Sequence, residues 1–301
     1  MTASAAPTEI AVHRYGGNGA PQRMGFFTDT TVCIGCKSCE VACKQWNDLP
    51  ADTTDYGRRS FDYTGSLSAT SWRHVHFVEI AAPTVGREDL DLVAAAQGQP
   101  LPEGGLDRWV FASDVCKHCT NAGCLDACPT GALIRTEFQS VIVQPDICNG
   151  CGYCVTACPF GVIDRDPYDG RAAKCTLCYD RLQDGMEPAC AKACPTDSIQ
   201  FGPYDELVER AKGRVAELHA RGVDTAYLYG AGDDGADQIA GDLGAFFLLT
   251  EPPERFGLPA NADSPIQQNV PVATAAGLAA GITAAASAVV SLLLAHRRGR
   301  R

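Results

Sequence analysis

The spacing of the cysteines constrains this chain more than any other feature of its sequence. Sixteen cysteines fall into four groups of four, with none left over. Disulfide-dense chains are usually small secreted domains without enough core, whereas 301 residues can bury a sizeable one. Cysteines at CxxC spacing favour convergence on one metal centre over the stapling of distant loops. The groups are Cys33, Cys36, Cys39 and Cys43; Cys116, Cys119, Cys124 and Cys128; Cys148, Cys151, Cys154 and Cys158; and Cys175, Cys178, Cys190 and Cys194.

The details of this spacing favour iron–sulfur clusters over zinc. The first and third groups read CxxCxxCxxxC, and a proline (Pro129, Pro159 or Pro195) directly follows the last cysteine of the second, third and fourth groups. This is the bacterial ferredoxin pattern, in which three cysteines wrap one cubane and the fourth ligates a neighbouring cluster. Zinc ribbons use two separated CxxC pairs, which only the fourth group resembles. We therefore predict that all sixteen cysteines are ligands of four 4Fe-4S clusters.

Shared ligation requires the cysteine groups to work in pairs. The second and third groups bracket "TGALIRTEFQSVIVQPD", whose two apolar runs around a polar turn predict a strand hairpin. The segment Trp109–Arg165 therefore resembles a complete two-cluster ferredoxin unit, and by elimination the first and fourth groups would pair around it. Spacing alone leaves the pairing open, because the third and fourth groups are equally close in sequence.

Several segments resemble the iron–sulfur beta subunit of membrane-bound formate dehydrogenase, within the four-cluster family that serves molybdopterin oxidoreductases. The cysteine segments "VCIGCKSCEVACKQWND", "CKHCTNAGCLDACPTGAL", "CNGCGYCVTACPFGV" and "CTLCYDRLQDGMEPACAKACPT" are typical of that whole class. The segments "RVAELHARGVDTAYLYG" and "RFGLPAN", with one apolar C-terminal helix, narrow the resemblance to formate dehydrogenase. The resemblance covers nearly the whole sequence from Gly25 onward.

The resemblance implies an α+β fold with two nested ferredoxin-like units, each holding two 4Fe-4S clusters, with insertions and one C-terminal transmembrane helix. It also implies that the last cysteine of each group crosses to the cluster of its partner group. The implied ligand sets are Cys33, Cys36 and Cys39 with Cys194; Cys175, Cys178 and Cys190 with Cys43; Cys116, Cys119 and Cys124 with Cys158; and Cys148, Cys151 and Cys154 with Cys128.

The resemblance further implies a non-catalytic electron-transfer subunit. Its partners would be a molybdopterin-containing catalytic alpha subunit that oxidises formate and a membrane cytochrome b gamma subunit that passes electrons to quinone. Electrons would enter at the cluster of the first group and leave through one of the inner clusters. Two alternatives stay open: the same relay role beside another molybdopterin reductase or a hydrogenase, and a zinc-stapled scaffold without redox activity.

The sequence predicts five regions in order. The Ala/Gly/Pro-rich start is typical of a flexible arm and has no apolar run of signal-peptide length. The four-cluster region consists of an outer pair, an insertion and an inner pair. The predicted bounds are 1–24 for the arm; 25–203 for the four-cluster domain, with its outer pair at 25–50 and 172–203, insertion at 51–108 and inner pair at 109–171; 204–270 for a cover helix and linker; 271–295 for a transmembrane helix; and 296–301 for a basic tail.

Elements outside the cysteine groups have patterns of their own. In the insertion, "WRHVHFVEI" alternates as a strand and places His74 and His76 on one face. Because no third ligand is near, ordinary strand residues at a surface or interface are favoured over a metal or haem site. After the fourth group, "YDELVERAKGRVAELHARG" predicts an amphipathic cover helix that ends at Gly222. The segments "AYLYG" and "AFFLLT" predict short strands.

The C-terminal region predicts a single membrane span. Val272 to Ala295 are 24 residues without a charge. As a helix they are roughly 36 Å long, against a hydrocarbon core of about 30 Å. Pro271 suits the start of this helix, four arginines follow its end, and the segment before it is net negative. The positive-inside rule therefore predicts a cytoplasmic tail and a cluster domain on the extracytoplasmic, periplasmic side, carried across by a partner with a twin-arginine signal.

Charge and motif content exclude several functions. Net charge is −11, and four of the 25 basic residues lie in the last five positions, which leaves 21 basic against 36 acidic residues elsewhere. A body this acidic argues against nucleic-acid binding. The sequence contains no phosphate loop, dinucleotide fingerprint or nucleophile–base motif, so we expect no catalytic residue.

Protease accessibility tests the predicted orientation. In spheroplasts an external protease is expected to cleave the cluster domain, because that domain faces the periplasm. In inverted vesicles the same domain is expected to be protected. Cleavage in inverted vesicles combined with protection in spheroplasts would reverse the orientation.

Overall fold

The computed structural model describes residues 22–51, 62, 64–81, 106–231, 239–262 and 264–298. Residues 1–21 of the predicted arm, much of the insertion, part of the acidic segment before "AFFLLT" and the last three residues of the basic tail lie outside the described residues.

Short strands and helices alternate through the described part of the molecule. The strands are β1 Met24–Asp29, β2 Arg73–Ala81, β3 Leu106–Val115, β4 Leu133–Arg135, β5 Val141–Val143, β6 Asp164–Arg165, β7 Ala172–Ala173, β8 Ile199–Pro203, β9 Tyr227–Tyr229 and β10 Ala245–Leu249. The α-helices are α1 Ser38–Trp46, α2 Gly123–Asp126, α3 Tyr153–Ala157, α4 Tyr179–Gln183, α5 Ala189–Lys192, α6 Tyr204–Ala220 and α7 Pro265–Arg298. Two turns of 3₁₀-helix lie at Ile239–Gly241 and Pro253–Phe256.

A four-stranded sheet joins the two ends of the cluster region. Its strand order is β8–β1–β10–β9, with β1 antiparallel to β8 and parallel to β10. Strand β1 ends just before the first cysteine group, and β8 begins just after the fourth. Thr28 pairs with Ile199, and the Asp29 amide donates to the Ser198 carbonyl at 2.8 Å. This pairing therefore places the first and fourth cysteine groups side by side.

Two antiparallel hairpins flank the second cysteine group. Strands β4 and β5 pair with Leu133 opposite Val143, which confirms the hairpin predicted between the second and third groups. Strands β2 and β3 form a longer hairpin from Arg73 opposite Val115 to Ala81 opposite Leu106, with an irregularity between Ile80 and Ala81, at the end where the chain passes from β2 to β3. The predicted strand around His74 is thus confirmed, and its hairpin leads directly into the second cysteine group.

The main apolar core lies between the sheet and helix α6. Phe27 stacks on Phe246 with ring centroids 5.4 Å apart, and Tyr204 meets Phe246 edge-on at 5.6 Å. Leu207, Ala211 and Leu218 of α6 are buried in this same core, at the helical spacing that the sequence shows. The predicted cover helix is confirmed, and the backbone turns at Gly222, whose φ is +84°.

Helix α7 is the one described helix that is long and apolar enough to cross a membrane. It begins at Pro265, six residues before the predicted start at Pro271. The reason is that Pro265 is itself a suitable first helical residue, since a missing N–H costs little there. The uncharged residues 266–270 then carry the helix up to Pro271, which lies inside it. The apolar portion runs from Asn269 to His296, and none of it is buried against the rest of the protein.

Candidate metal centres

The structure groups the sixteen cysteines into four candidate sets, which we name sites I to IV. Three cysteines of the first group and Cys194 line one cavity, which defines site I. Three cysteines of the second group and Cys158 line another cavity, which defines site III. The remaining cysteines are assigned to sites II and IV because the charges of their thiols interact with one another. Site I contains Cys33, Cys36, Cys39 and Cys194; site II contains Cys175, Cys178, Cys190 and Cys43; site III contains Cys116, Cys119, Cys124 and Cys158; and site IV contains Cys148, Cys151, Cys154 and Cys128.

The same backbone turn recurs in the first CxxC segment of each group. The second residue between the two cysteines has a positive φ in all four, at Gly35 (66°), His118 (44°), Gly150 (71°) and Leu177 (61°). A left-handed residue turns the backbone sharply, so that successive thiols can face one centre. Gly35 is also required by space, because a Cβ there would lie 2.8 Å from the Phe111 ring.

Helix packing brings together the thiols of site II. Helix α1 carries Cys39 and Cys43 on its buried face, and it packs against α5, which carries Cys190. Cys39 thus faces site I while Cys43, one turn further along the same helix, lies among the thiols of site II. Helix α1 therefore contributes one cysteine to site I and another to site II.

Several of the thiols are buried enough to disfavour their own ionisation. Burial, opposed by the charge of Arg73 and a hydrogen bond from Ser113, raises the pKa of the Cys39 thiol to about 12. Burial likewise raises the pKa of Cys43 and of Cys124 to about 12. Because iron binds thiolates, these sites need a positively charged metal group to stabilise their anionic form.

Backbone donors surround the sulfur atoms. The Leu177 amide donates to Cys175 Sγ at 3.3 Å, and the Ala172 amide donates to Cys148 Sγ at 3.3 Å. Such N–H···S bonds accompany cluster ligands and tune their reduction potentials.

The geometry fits clusters better than single metal ions. Within the described residues, no group of three or more His, Cys, Asp or Glu side chains is arranged to hold one metal ion. A structural zinc site requires four ligands at about 2.0–2.3 Å from one atom. A cubane instead offers four separate irons, one to each thiolate, so it suits four cysteines set around a cavity.

His118 supplies a further test of the fit at site III. The Val141 amide donates to His118 Nδ1 at 3.1 Å, so the ring proton lies on Nε2. Nε2 is buried without a hydrogen-bond partner among the described residues, and His118 lines the site III cavity. Burial, together with the charge of Lys174, holds the pKa of His118 well below its usual range, so the ring is neutral. An unused N–H donor beside this cavity fits a sulfur acceptor within it.

Sites I to IV form a series (the line), in which thiols of each site interact with thiols of the next. The thiol charges of Cys39 in site I and Cys190 in site II interact with each other. Those of Cys175 in site II and Cys116 in site III do so too. Cys124 of site III and Cys154 of site IV form the last junction. Each site therefore neighbours the next.

Both ends of this line reach the surface. Cys36 of site I is exposed, and the nearby Ile34 is 58% exposed. At the other end Cys151 of site IV is exposed, and Tyr153 is 61% exposed. The four cysteines of site II, by contrast, are all buried.

The histidine pair of β2 lies outside these sites. The rings of His74 and His76 are 4.3 Å apart on one face, as predicted. His74 Nε2 lies 2.8 Å from the Asp62 carboxylate, and His76 Nε2 lies 3.7 Å from Asp114. His74 is fully buried, so the predicted surface position is wrong for that residue, whose polar ring is stabilised by Asp62.

Sequence reasoning missed the buried basic residues around the thiols. Arg73, Lys117 and Lys174 are each at most 2% exposed. Lys117 and Lys174 directly adjoin cysteines of the second and fourth groups, and this position could have identified them from the sequence. Arg73 lies in the insertion and has no such signal.

Comparisons with known proteins agree on the cofactor. Residues 32–132 and residues 107–204 each match a 4Fe-4S dicluster domain family. The two matches overlap and together contain all sixteen cysteines, so they do not by themselves assign the pairs. Two dicluster domains correspond to four 4Fe-4S clusters, as the sequence predicts.

Curated relatives extend this similarity over most of the sequence. The formate dehydrogenase-O iron–sulfur subunit of Escherichia coli (strain K12) is 40% identical over 228 residues, which cover 72% of this protein and 69% of that one. The formate dehydrogenase iron–sulfur subunit of Haemophilus influenzae is 40% identical over 202 residues, which cover 67% and 58%. The B subunit of the anaerobic dimethyl sulfoxide reductase of Escherichia coli is 36% identical over 188 residues, which cover 62% and 76%.

Replacing His118 tests the donor at site III. His118→Phe removes the Nε2 proton, and the cluster signal of site III is expected to shift to a lower reduction potential because an N–H···S bond favours the reduced state. His118→Gln keeps an N–H donor and should shift that potential less. The measurement is a redox titration followed by EPR, and equal potentials in both variants and the wild type would contradict this role.

Proposed function

The chain belongs to the iron–sulfur subunits of the formate dehydrogenase family, and from this premise we propose that it is the electron relay of a membrane-bound formate dehydrogenase. In this proposal a molybdopterin-containing catalytic subunit oxidises formate, and a membrane cytochrome b receives the electrons. The observation that carries the proposal is the line of four neighbouring cysteine sites with an exposed site at each end.

The protein's own residues hold and space the redox groups. When bound, 4Fe-4S clusters supply one-electron transfer, and the protein sets their potentials through burial, charge and N–H···S bonds. The buried cysteines of site II keep the middle of the relay away from water. The surface sites I and IV leave the two ends accessible to partner subunits. We assign this subunit no catalytic residue.

The contacts around the outer cysteines support crossed ligation. The β1–β8 pairing brings Cys194 beside Cys33, although these residues are far apart in the sequence. The α1–α5 packing brings Cys43 beside Cys190. Within the inner unit, Cys158 lines the cavity of site III, and Cys128 lies among the thiols of site IV. We propose that sites I to IV are four ligand sets, each completed by the last cysteine of its partner group.

The position of α7 supports a direction for the relay. Ser264, directly before α7, donates from Oγ to Asp126 Oδ2 at 3.1 Å. Asp126 lies between Cys124 of site III and Cys128 of site IV, so the apolar helix starts beside that end of the line. We therefore propose that electrons enter at site I, from the catalytic subunit, and leave at site IV, toward the membrane partner.

Helix α7 would anchor the protein in the membrane. Its apolar portion has the length and composition of a span, and its side chains are exposed in the subunit alone. Exposure of Leu278 and Ile282 on this helix suits contact with lipid or with a neighbouring helix. In this arrangement the arginine-rich tail lies in the cytoplasm and the cluster domain lies in the periplasm.

The second candidate is the same relay beside another molybdopterin enzyme. The dimethyl sulfoxide reductase B subunit is 36% identical and is covered over 76% of its length, which supports this possibility. Higher identity to the formate dehydrogenase subunits, together with the apolar helix α7, favours formate as the electron source.

Isolation of the intact complex tests the choice of partner. Anaerobic purification through this subunit is expected to yield a molybdopterin subunit and a cytochrome b, and the complex should reduce a viologen dye with formate. A complex that contains iron–sulfur clusters but uses only a sulfoxide or another acceptor would contradict the formate assignment while leaving the relay role intact.

Reciprocal cysteine variants test the crossed ligation. Cys194→Ser is expected to lose the same EPR signal as Cys36→Ser, because both residues belong to site I. Cys43→Ser is expected to lose the same signal as Cys178→Ser, because both belong to site II, even though Cys43 lies in the first group. If instead Cys194→Ser matches Cys178→Ser and Cys43→Ser matches Cys36→Ser, each group serves a single cluster and the crossed scheme is wrong.

A further inference from the structure

Arg73 lies at the junction between site I and site II. Its side chain is fully buried, and its Nη2 donates to Cys190 Sγ of site II at 3.1 Å. Its Nη1 donates to the carbonyl and the hydroxyl oxygen of Ser113, each at 3.2 Å. The Ser113 hydroxyl in turn lies 3.2 Å from Cys39 Sγ of site I. A continuous series of hydrogen-bonding contacts therefore joins a thiol of one site to a thiol of the next.

The charge of Arg73 is balanced by no carboxylate within the described residues. Its polar contacts there are to Ser113 and Cys190, and its guanidinium also lies 4.9 Å from the centre of the Phe26 ring. A buried cation without an anion is costly. The anionic sulfur ligands of sites I and II are the groups placed to balance it, since the nearest charges are those of Cys190 and Cys39.

Lys174 repeats this arrangement at the junction between site II and site III. Its side chain is buried, its Nζ donates to the Cys175 carbonyl at 3.0 Å, and it also contacts the Val141 carbonyl. It lines the site III cavity together with Cys116 and Cys124. Within the described residues it forms no ion pair with a carboxylate, so its charge too faces sulfur ligands.

Lys117 shows the contrasting case. It is equally buried and directly follows Cys116, but it forms an ion pair with Asp114. Its charge is therefore neutralised locally. Among the described residues, Arg73 and Lys174 are the two fully buried cations beside the cysteine sites that form no ion pair with a carboxylate.

We propose that Arg73 and Lys174 are positioning residues that raise the reduction potentials of the clusters on either side of them. Arg73 acts on sites I and II, and Lys174 acts on sites II and III. Reduction adds one electron and so one negative charge to a cluster, and a nearby buried cation stabilises that added charge. Site II lies beside both cations and site IV beside neither. This inference rests on the proposed electron relay.

Replacing each cation by a neutral residue is expected to lower the reduction potentials of two particular sites. A general loss of stability would not select those sites. In the intact anaerobic complex, Arg73→Gln is expected to reduce the equilibrium constant for reduction at least tenfold at sites I and II, which corresponds to about 59 mV for one electron. Lys174→Gln is expected to do the same at sites II and III. The readout is an EPR-monitored redox titration, with signals assigned from cysteine variants of each site.

Internal and matched controls accompany these variants. The site IV potential should stay unchanged in both, because that site neighbours neither cation. Arg221→Gln removes an exposed arginine at the end of α6 and should leave all four potentials unchanged. Equal shifts at all four sites, or no shift at the two neighbouring sites, would overturn the proposal.

Ser113→Ala tests the hydrogen-bonded link from Arg73 to Cys39 independently of the charge of Arg73. It keeps Arg73 but removes the hydroxyl next to Cys39, so the expected fall in potential is confined to site I. If Arg73→Gln fails to assemble its clusters, the charge-conserving variant Arg73→Lys takes its place. The site II potential of Arg73→Lys should stay closer to the wild type than that of Lys174→Gln. A site II potential that falls as far in Arg73→Lys as in Lys174→Gln would reject the role of charge. Absence of four redox signals in the wild type would instead defeat the proposed relay itself.

Discussion

The antiparallel pairing of β1 with β8 is the interaction on which the rest of the molecule depends. It joins distant parts of the sequence, as shown by the Ser198 hydroxyl donating to the Asp29 carbonyl at 2.8 Å across 169 residues. Cys33 follows one of these strands and Cys194 precedes the other. The inner hairpin β4–β5 lies within the loop that this pairing closes, and this placement supports the nested order of the four sites that we propose.

The interior between the sites holds buried polar and charged groups among apolar side chains such as Phe26 and Val115. Buried thiols, Arg73 and Lys174 lie where an ordinary domain would place aliphatic side chains. Such groups are costly to bury singly and become stable only when opposite charges meet. The sulfur ligands and the basic residues therefore depend on each other, and this mutual dependence couples the folding of the middle of the molecule to cluster binding.

Much of the site could be predicted from sequence because its determinants are local. The cysteine spacing, the β4–β5 hairpin and helix α6 all follow from patterns within short stretches of sequence. The parallel pairing of β1 with β10 is non-local, and nothing in "MGFFTD" or "AFFLL" indicates which strand pairs with which. Arg73 was missed for a similar reason, since its contact with Cys190 joins residues 117 positions apart. The start of α7 was missed because Pro265 and Pro271 are both compatible with a first turn.

Native mass spectrometry of the anaerobic complex, with this subunit released intact in the gas phase, tests the central claim most directly. The account predicts a mass equal to the 31.9 kDa polypeptide plus four 4Fe-4S clusters, or about sixteen irons with their sulfides. A subunit that carries zinc ions in place of clusters, or far fewer irons in a fully assembled and active complex, would contradict it.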